Sequence, residues 1–87
     1  MHFVYVLISK KDNDFYTGYT SDLKKRIKEH REGKVKSTKH RLPVQLIYYE
    51  VCINKYDALA REKYLKSGRG KKYIRNRIKR YIGDSTK

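Results

Sequence analysis

Residues 3–8 read Phe-Val-Tyr-Val-Leu-Ile, six apolar or aromatic side chains in succession. In an extended chain Phe3, Tyr5 and Leu7 fall on one face and Val4, Val6 and Ile8 on the other. Both faces are therefore apolar, which is the pattern of a central strand covered on both sides rather than of a strand with one face in water. The strand is read as His2 to Ser9. A chain of 87 residues has room for one domain. So short a chain hides only about 60% or slightly more of its unfolded surface, so the core must be thin.

The rest of the chain supplies the covering layers. Lys10 to Asp14 is polar and reads as a turn, and Phe15 to Thr20 resumes a strand, which makes a hairpin. Thr20 or Ser21 can cap a helix with Asp22 in its first turn, Leu23 and Ile27 inside, and Gly33 at its end. Lys34 to Pro43 is a basic loop without periodicity, and Val44 to Cys52 is a third strand. Asn54 caps a second helix in which Ala58, Leu59, Glu62 and Leu65 share a face. Ser67-Gly68-Arg69-Gly70 breaks it. A third helix follows, with Ile74, Ile78, Tyr81 and Ile82 inside and Gly83 as its stop. The expected fold class is α/β (α+β): a three-stranded, mainly antiparallel sheet flanked by three helices in the order ββαβαα. Residues 1–83 form the domain and 84–87 a frayed tail.

Composition enters through charge. Lys and Arg number 23 against 9 Asp and Glu, a formal charge of +14, while 38% hydrophobic content is enough for a folded chain. From Lys24 to Arg41 nine basic residues face two acidic ones, a net +7; from Arg61 to Ile82 ten face one, a net +9. Such an excess is the footprint of a polyanion partner. Solvated helix surface accounts for part of it, and an anionic membrane surface or a ribosomal site would draw on the same electrostatics. A single cysteine, Cys52, excludes a disulfide-stapled scaffold. No apolar run approaches the ~20 residues of a membrane span. The start has no signal-peptide pattern, so a reducing, cytoplasmic setting is expected.

A few residues do not fit the packing pattern. Glu62 is flanked by Ala58, Leu59 and Leu65, which puts a carboxylate on a face that should be buried. It needs a cation, a metal or a cleft beside it, or an i,i+4 pair with Lys66 at the edge of the stripe. Arg26 and His30, four apart, project from one helix face, and Asp22 can hold Arg26; taken alone, the plainer reading is a solvated face with an Asp–Arg pair. Nine tyrosines without a tryptophan is an unusual aromatic choice. Tyr5 and Tyr16 can face each other across the hairpin, either as packing or as a hydroxyl pair whose pKa a nearby arginine lowers from about 10. His2, His30, His40 and Cys52 lack zinc-ligand spacing. There is no P-loop, dinucleotide fingerprint or nucleophile elbow, and Gly68-Arg69-Gly70 is too short for a phosphate loop.

Taken in order, Phe3-Val4-Tyr5, Tyr16-Thr17-Gly18, Arg26, His30 and a helical Glu62 resemble the GIY-YIG endonuclease domain, over nearly the whole chain. With YTGYT, a KST-K-R-P loop and an AREKYLKSG helix, the sequence is most similar to the small stand-alone bacterial subfamily. It is also similar to the catalytic domains of UvrC and of the eukaryotic structure-specific nuclease that cuts branched DNA. The first motif has Phe3 for glycine and Val4 for isoleucine, and the second has Thr17 for isoleucine; these are packing positions.

The resemblance implies a metal-dependent phosphodiesterase acting on DNA, with DNA repair as its setting. Glu62 matches the single metal-binding carboxylate, for Mg2+ or Mn2+; Mg2+ keeps several waters, so one glutamate can suffice. Arg26 matches the arginine that clamps the scissile phosphate. Tyr5 matches the first-motif tyrosine, the expected general base, and Tyr16 the second, which positions the attacking water or shares its proton. His30 falls where relatives place a residue touching the phosphate or the base, Asn76 matches an asparagine of the last helix, and Gly18 is expected to keep the strand end open to DNA. The basic residues Lys34, Lys36, Lys39, Arg41, Lys66, Lys71, Lys72, Arg75 and Lys79 are expected to grip phosphates. Without a domain to read bases, selection by shape (single strands, flaps, branches) is expected over selection by sequence. The expected partner is DNA, with RNA as the alternative polyanion and an accessory protein to present it; the chain itself is expected to be a monomer, with no membrane. The rival reading is a nucleic-acid-binding module with weak or no catalysis on the same scaffold.

Overall fold

The structure, a computed structural model, describes residues 1–85. Strands β1 (His2–Ser9), β2 (Phe15–Thr20) and β3 (Val44–Cys52) form one antiparallel sheet in the order β2-β1-β3. The doubly apolar run is thus the central strand. Val4 and Val6 are fully buried on one face against Ala58, Leu65 and Ile74; Tyr5 and Leu7 are buried on the other with Ile27. Burying each such aliphatic side chain contributes about 1.5–3 kcal/mol, and β1 does so on both faces.

One face is covered by helix α1 (Leu23–Arg31), the other by α2 (Lys55–Lys66) and α3 (Gly68–Arg77), with α4 (Lys79–Ser85) following. The pairing of β1 with β3 shifts between Val6 and Leu7: Val6 opposes Tyr48 and Leu7 opposes Leu46. The extra residue, Ile47, lets Ile47 and Tyr48 pack on the α2 side while Leu46 packs on the α1 side.

The cap of α1 differs from expectation. Asp22 itself is the N-cap, accepting from the Lys25 amide, while the Thr20 hydroxyl accepts from the Asp22 amide. Gly33 follows the helix at φ 74°, a conformation that favours glycine. Asn54 caps α2 as expected, accepting from the amides of Tyr56 and Asp57. The expected break falls at Ser67, which both ends α2 and caps α3, accepting from the Gly70 amide, so Gly68-Arg69-Gly70 forms the first turn of the next helix. A Cβ at Gly70 would lie 2.1 Å from the Tyr64 carbonyl oxygen, so glycine lets the two helices meet this closely. The expected third helix is divided at Ile78 (φ −113°, ψ 24°) into α3 and α4. Gly83 lies within α4 and stops nothing; Asp84 and Ser85 continue that helix. Of the expected tail, residues 86–87 lie outside the described residues. The basic loop contains one short 3-10 turn, Lys39–Arg41. No helix among the described residues is long and apolar enough to cross a membrane.

Candidate active site

The site begins at the middle of β1. Tyr5 is 1% exposed, and its hydroxyl lies 2.7 Å from His30 Nε2 on α1. The other ring nitrogen, Nδ1, lies 2.7 Å from the Thr38 hydroxyl in the basic loop, and both His30 and Thr38 are fully buried. Tyr16 joins them from β2, its ring 6.5 Å from that of Tyr5 and 5.2 Å from that of His30. The two tyrosines do not face each other directly, as the sequence suggested. Tyr5 opposes Gly18 and Tyr16 opposes Leu7, so the rings meet diagonally on the same face. Gly18 is buried, and the space above it holds the Tyr5 ring. Its role is to admit that ring, not to open the strand end.

Charge arrives from α1. Arg26 Nη1 bonds to Glu29 at 3.2 Å. Asp22, the expected partner, is committed to its cap. The guanidinium also lies against the Tyr5 phenol; the Tyr5 hydroxyl, and then the Glu29 carboxylate, hold Arg26 above its already high range. Arg26 does pull the phenol down, as expected from sequence, but burial outweighs it, and Tyr5 is pushed up to about 12. Tyr5 is therefore a neutral hydroxyl near pH 7. His30 is driven the other way, down to about 4, by burial first and then by the Arg26 cation, against the opposing Glu29. Its imidazole is neutral, with one ring nitrogen protonated. The phenol is the more acidic of its two hydroxyl neighbours. The tautomer that follows has Tyr5 donating to Nε2 and Nδ1–H donating to the Thr38 hydroxyl.

Glu62 comes from α2, on the other side of the sheet. Its side chain is 20% exposed and pairs with Lys66 across 3.2 Å, and its charge raises the Tyr5 phenol. The i,i+4 pair expected from the sequence is formed, and the carboxylate's charge also reaches the tyrosine. No group of three or more His, Cys, Asp or Glu side chains among the described residues could enclose a metal ion. The donor set is a single carboxylate, which fits a hard divalent ion that keeps most of its waters and does not fit a zinc site.

The basic residues divide by partner. Lys36, Lys39, Lys72 and Lys79 are exposed and form no ion pair among the described residues, and Asn76, on α3, is exposed as well. Lys34 pairs with Glu32. Arg41 reaches Asp12 at 3.7 Å and Asp14 at 3.4 Å, and Lys71 reaches Asp14 at 3.5 Å. These two cations tie the loop and α3 to the β1–β2 turn, and their charge is partly spent there. Arg75 lies over the Phe15 ring at 4.8 Å.

Three contributors escaped the sequence reading. Thr38 stood inside the KST-K-R-P signature, but nothing in a loop without periodicity points to a hydrogen bond with His30. Glu29, three residues from Arg26, competed with Asp22 on helix spacing alone. The third is a clamp across β3 and α2, in which Arg61 bonds to both Glu50 oxygens at 2.9 Å. The Tyr48 hydroxyl donates to the same carboxylate at 2.7 Å, and the Arg61 guanidinium lies 4.8 Å over the Tyr73 ring.

Three comparisons bear on this site. A family model described as the GIY-YIG catalytic domain matches residues 1–76. The UPF0213 protein YazA of Bacillus subtilis is 50% identical over 66 residues, which is 75% of this chain and 66% of that protein. The UPF0213 protein CPE1444 of Clostridium perfringens is 48% identical over 67 residues, 76% of this chain and 71% of its own. This chain therefore spans about two thirds of the curated relatives it matches. The solution NMR structure of the UPF0213 protein BH0048 of Bacillus halodurans is similar with a TM-score of 0.54 and 39% identity, covering 84% of this chain and 80% of that one.

Proposed function

The chain belongs to the GIY-YIG family of nuclease catalytic domains, and on that premise we propose that it is a divalent-metal-dependent endonuclease hydrolysing DNA phosphodiester bonds. In this reading it selects by DNA structure (single-stranded, flap or branched) more than by sequence. The observation that carries the proposal is the buried Tyr5–His30 hydrogen bond of 2.7 Å with the Tyr16 ring packed against both, a phenol on which the charges of Arg26 and, more weakly, Glu62 also act.

The residues divide the work. Arg26, with 38% of its side chain exposed, holds a phosphate oxygen through the planar fork that Glu29 orients. Held at Glu62, Mg2+ or Mn2+ would stabilise charge on the phosphate and on the leaving 3′ oxygen. The attacking water gives its proton to the Tyr5 oxygen as the Tyr5 proton passes to His30 Nε2. A phosphate paired with Arg26 offsets the cation that depresses His30, so substrate binding makes the imidazole a better acceptor. Tyr16 positions the water, and Thr38 holds the imidazole in the accepting tautomer. The exposed Lys36, Lys39, Lys72, Asn76 and Lys79, together with Lys34, Arg75 and the more committed Arg41, Lys66 and Lys71, meet flanking phosphates, so affinity falls steeply with salt. A cytoplasmic DNA-repair role, as a monomer or with a protein that presents the substrate, belongs to the same reading.

One observation favours the rival binding module: the Lys66 ammonium already occupies the Glu62 carboxylate. The two readings part in a cleavage assay on labelled single-stranded, flap, branched and duplex DNA with Mg2+ or Mn2+. Wild type is expected to cut. Glu62→Gln is expected to lose at least ~100-fold in cutting, the scale of a lost charge-stabilising group, while binding stays nearly unchanged. Tight, salt-sensitive binding without cutting on any substrate would favour the module. Equal cutting by both proteins would sink the metal role of Glu62.

A further inference from the structure

On the β3 side of α1 lies a groove of about 580 Å3 that the cleavage chemistry leaves unused. Its walls are Phe3 and Tyr49, with ring centroids 6.4 Å apart and planes tilted by 55°. Leu23 and Ile27 of α1 and Leu46 of β3 complete the apolar lining. Tyr49 is 51% exposed, so much of a ring that sits on the sheet faces water. Lys24 and Arg31, both exposed, stand on the helix side and form no ion pair among the described residues. The one carboxylate of the lining, Asp22, is engaged with the Lys25 amide.

We propose that this groove is a subsite for a single-stranded nucleic-acid arm, with an unpaired base against Tyr49 and Phe3 and its phosphates against Lys24 and Arg31. The inference rests on the endonuclease reading for its ligand class, and it supplies the element that would make such an enzyme prefer DNA with single-stranded parts. An aromatic surface beside unpaired cations is the combination that binds single strands without reading their sequence. A stacked duplex does not offer a base face to it. A second copy of this chain is a poor occupant, because each carries +14. Position relative to the reaction also fits. Ser21 and Asp22 line both this groove and the smaller cleft that contains Arg26 and Glu29. Tyr49 is the β3 partner of Tyr5, one strand away. An arm leaving the cleft around the start of α1 enters the groove directly.

The test is equilibrium binding by fluorescence anisotropy, without divalent ions, to a blunt duplex and to the same duplex carrying a single-stranded extension. Tyr49→Ala is expected to weaken binding of the extended duplex about tenfold, the scale of one lost aromatic–base stack, and to leave the blunt duplex unchanged. Tyr49→Phe should bind like wild type, and Tyr56→Ala, which removes a more exposed tyrosine outside the groove, should do so too. Lys24→Ala should lower the salt dependence for the extended duplex by about one unit of slope. Equal losses on both DNAs, or no loss on either, would overturn the subsite. So would a poly-glutamate peptide that binds wild type and is lost in Tyr49→Ala, because it would assign the groove to an acidic protein. These outcomes are independent of cutting by Glu62→Gln, so failure of the subsite and failure of the endonuclease reading are separable.

Discussion

The Tyr5 ring occupies the volume that any side chain at position 18 would need. A Cβ built on Gly18 lies 2.4 Å from both the Tyr5 hydroxyl and its Cζ, well inside contact distance. Gly18 is mid-strand and opposite Tyr5, so the clash cannot be relieved by a loop movement. Gly18→Ala is expected to swing the phenol away from His30 and to cost about 1–3 kcal/mol of overpacking strain. Thermal melting and a cleavage assay would show both losses together; a variant with wild-type melting and cutting would contradict this account of the glycine.

Tyr5→Phe removes only the hydroxyl and leaves the His30 Nε2 acceptor unpaired. Stability should fall by about 1–3 kcal/mol, the cost of a buried unsatisfied polar group. Cleavage should fall by ~100-fold or more, the scale of a lost general base.

Thr38→Val keeps the shape and removes the acceptor for Nδ1–H. A stability loss of similar size is expected, with a smaller loss of cleavage, because Thr38 positions the imidazole and does not touch the reacting atoms. Single-turnover cleavage beside urea denaturation would separate the two variants, and equal activity losses would put Thr38 in a more direct role.

Burial of a neutral His30 links stability to pH. Its folded pKa, about 4, lies below the ordinary 6.5, so the unfolded chain binds more protons between these values. The stabilisation is fully present above pH 6.5 and is lost as pH falls toward and through 4. Asp12, Asp14 and Glu50 are also held low, Asp12 and Asp14 chiefly by backbone amides and Glu50 chiefly by Arg61, but their share is lost at lower pH, below the ordinary carboxylate range. Melting temperature should therefore drop between pH 6.5 and 4.5 in the wild type. The drop should be much shallower in His30→Gln, as a series of melts would reveal.

The clamp between Arg61 and Glu50 joins β3 to the helix that carries Glu62. Arg61→Met leaves the Glu50 carboxylate, 19% exposed, with the Tyr48 hydroxyl as its one remaining side-chain partner among the described residues. A loss of about 1–3 kcal/mol is expected, less than for a fully buried pair. Combined with Glu50→Gln, the loss should be clearly smaller than the sum of the two single losses. Additive losses in a double-mutant cycle would show that the pair is not energetically coupled.

Much of this molecule is legible in its sequence because the relevant signals are local. The two apolar faces of residues 3–8 require a covered central strand, Lys10 to Asp14 require a turn, and Asn54 marks a helix start. Each follows from side-chain periodicity or from a capping group within three residues of its target. The ordered Tyr5, Tyr16, Arg26, His30 and Glu62 likewise placed the chain in its family. What the tertiary structure decided were choices between partners at comparable sequence distance or far apart. Arg26 took Glu29 because Asp22 was used as a cap. Gly18 makes room for Tyr5 because the register sets them opposite. His30 lost its charge because burial and the arginine beside it both disfavour the cation, and Tyr5 kept its proton because burial outweighed that same arginine. Thr38, from a loop with no pattern to read, closed the hydrogen-bond chain through His30. Hydrogen bonds and desolvation depend on distances of a few ångströms between distant segments, and a periodicity along one chain carries no such distances.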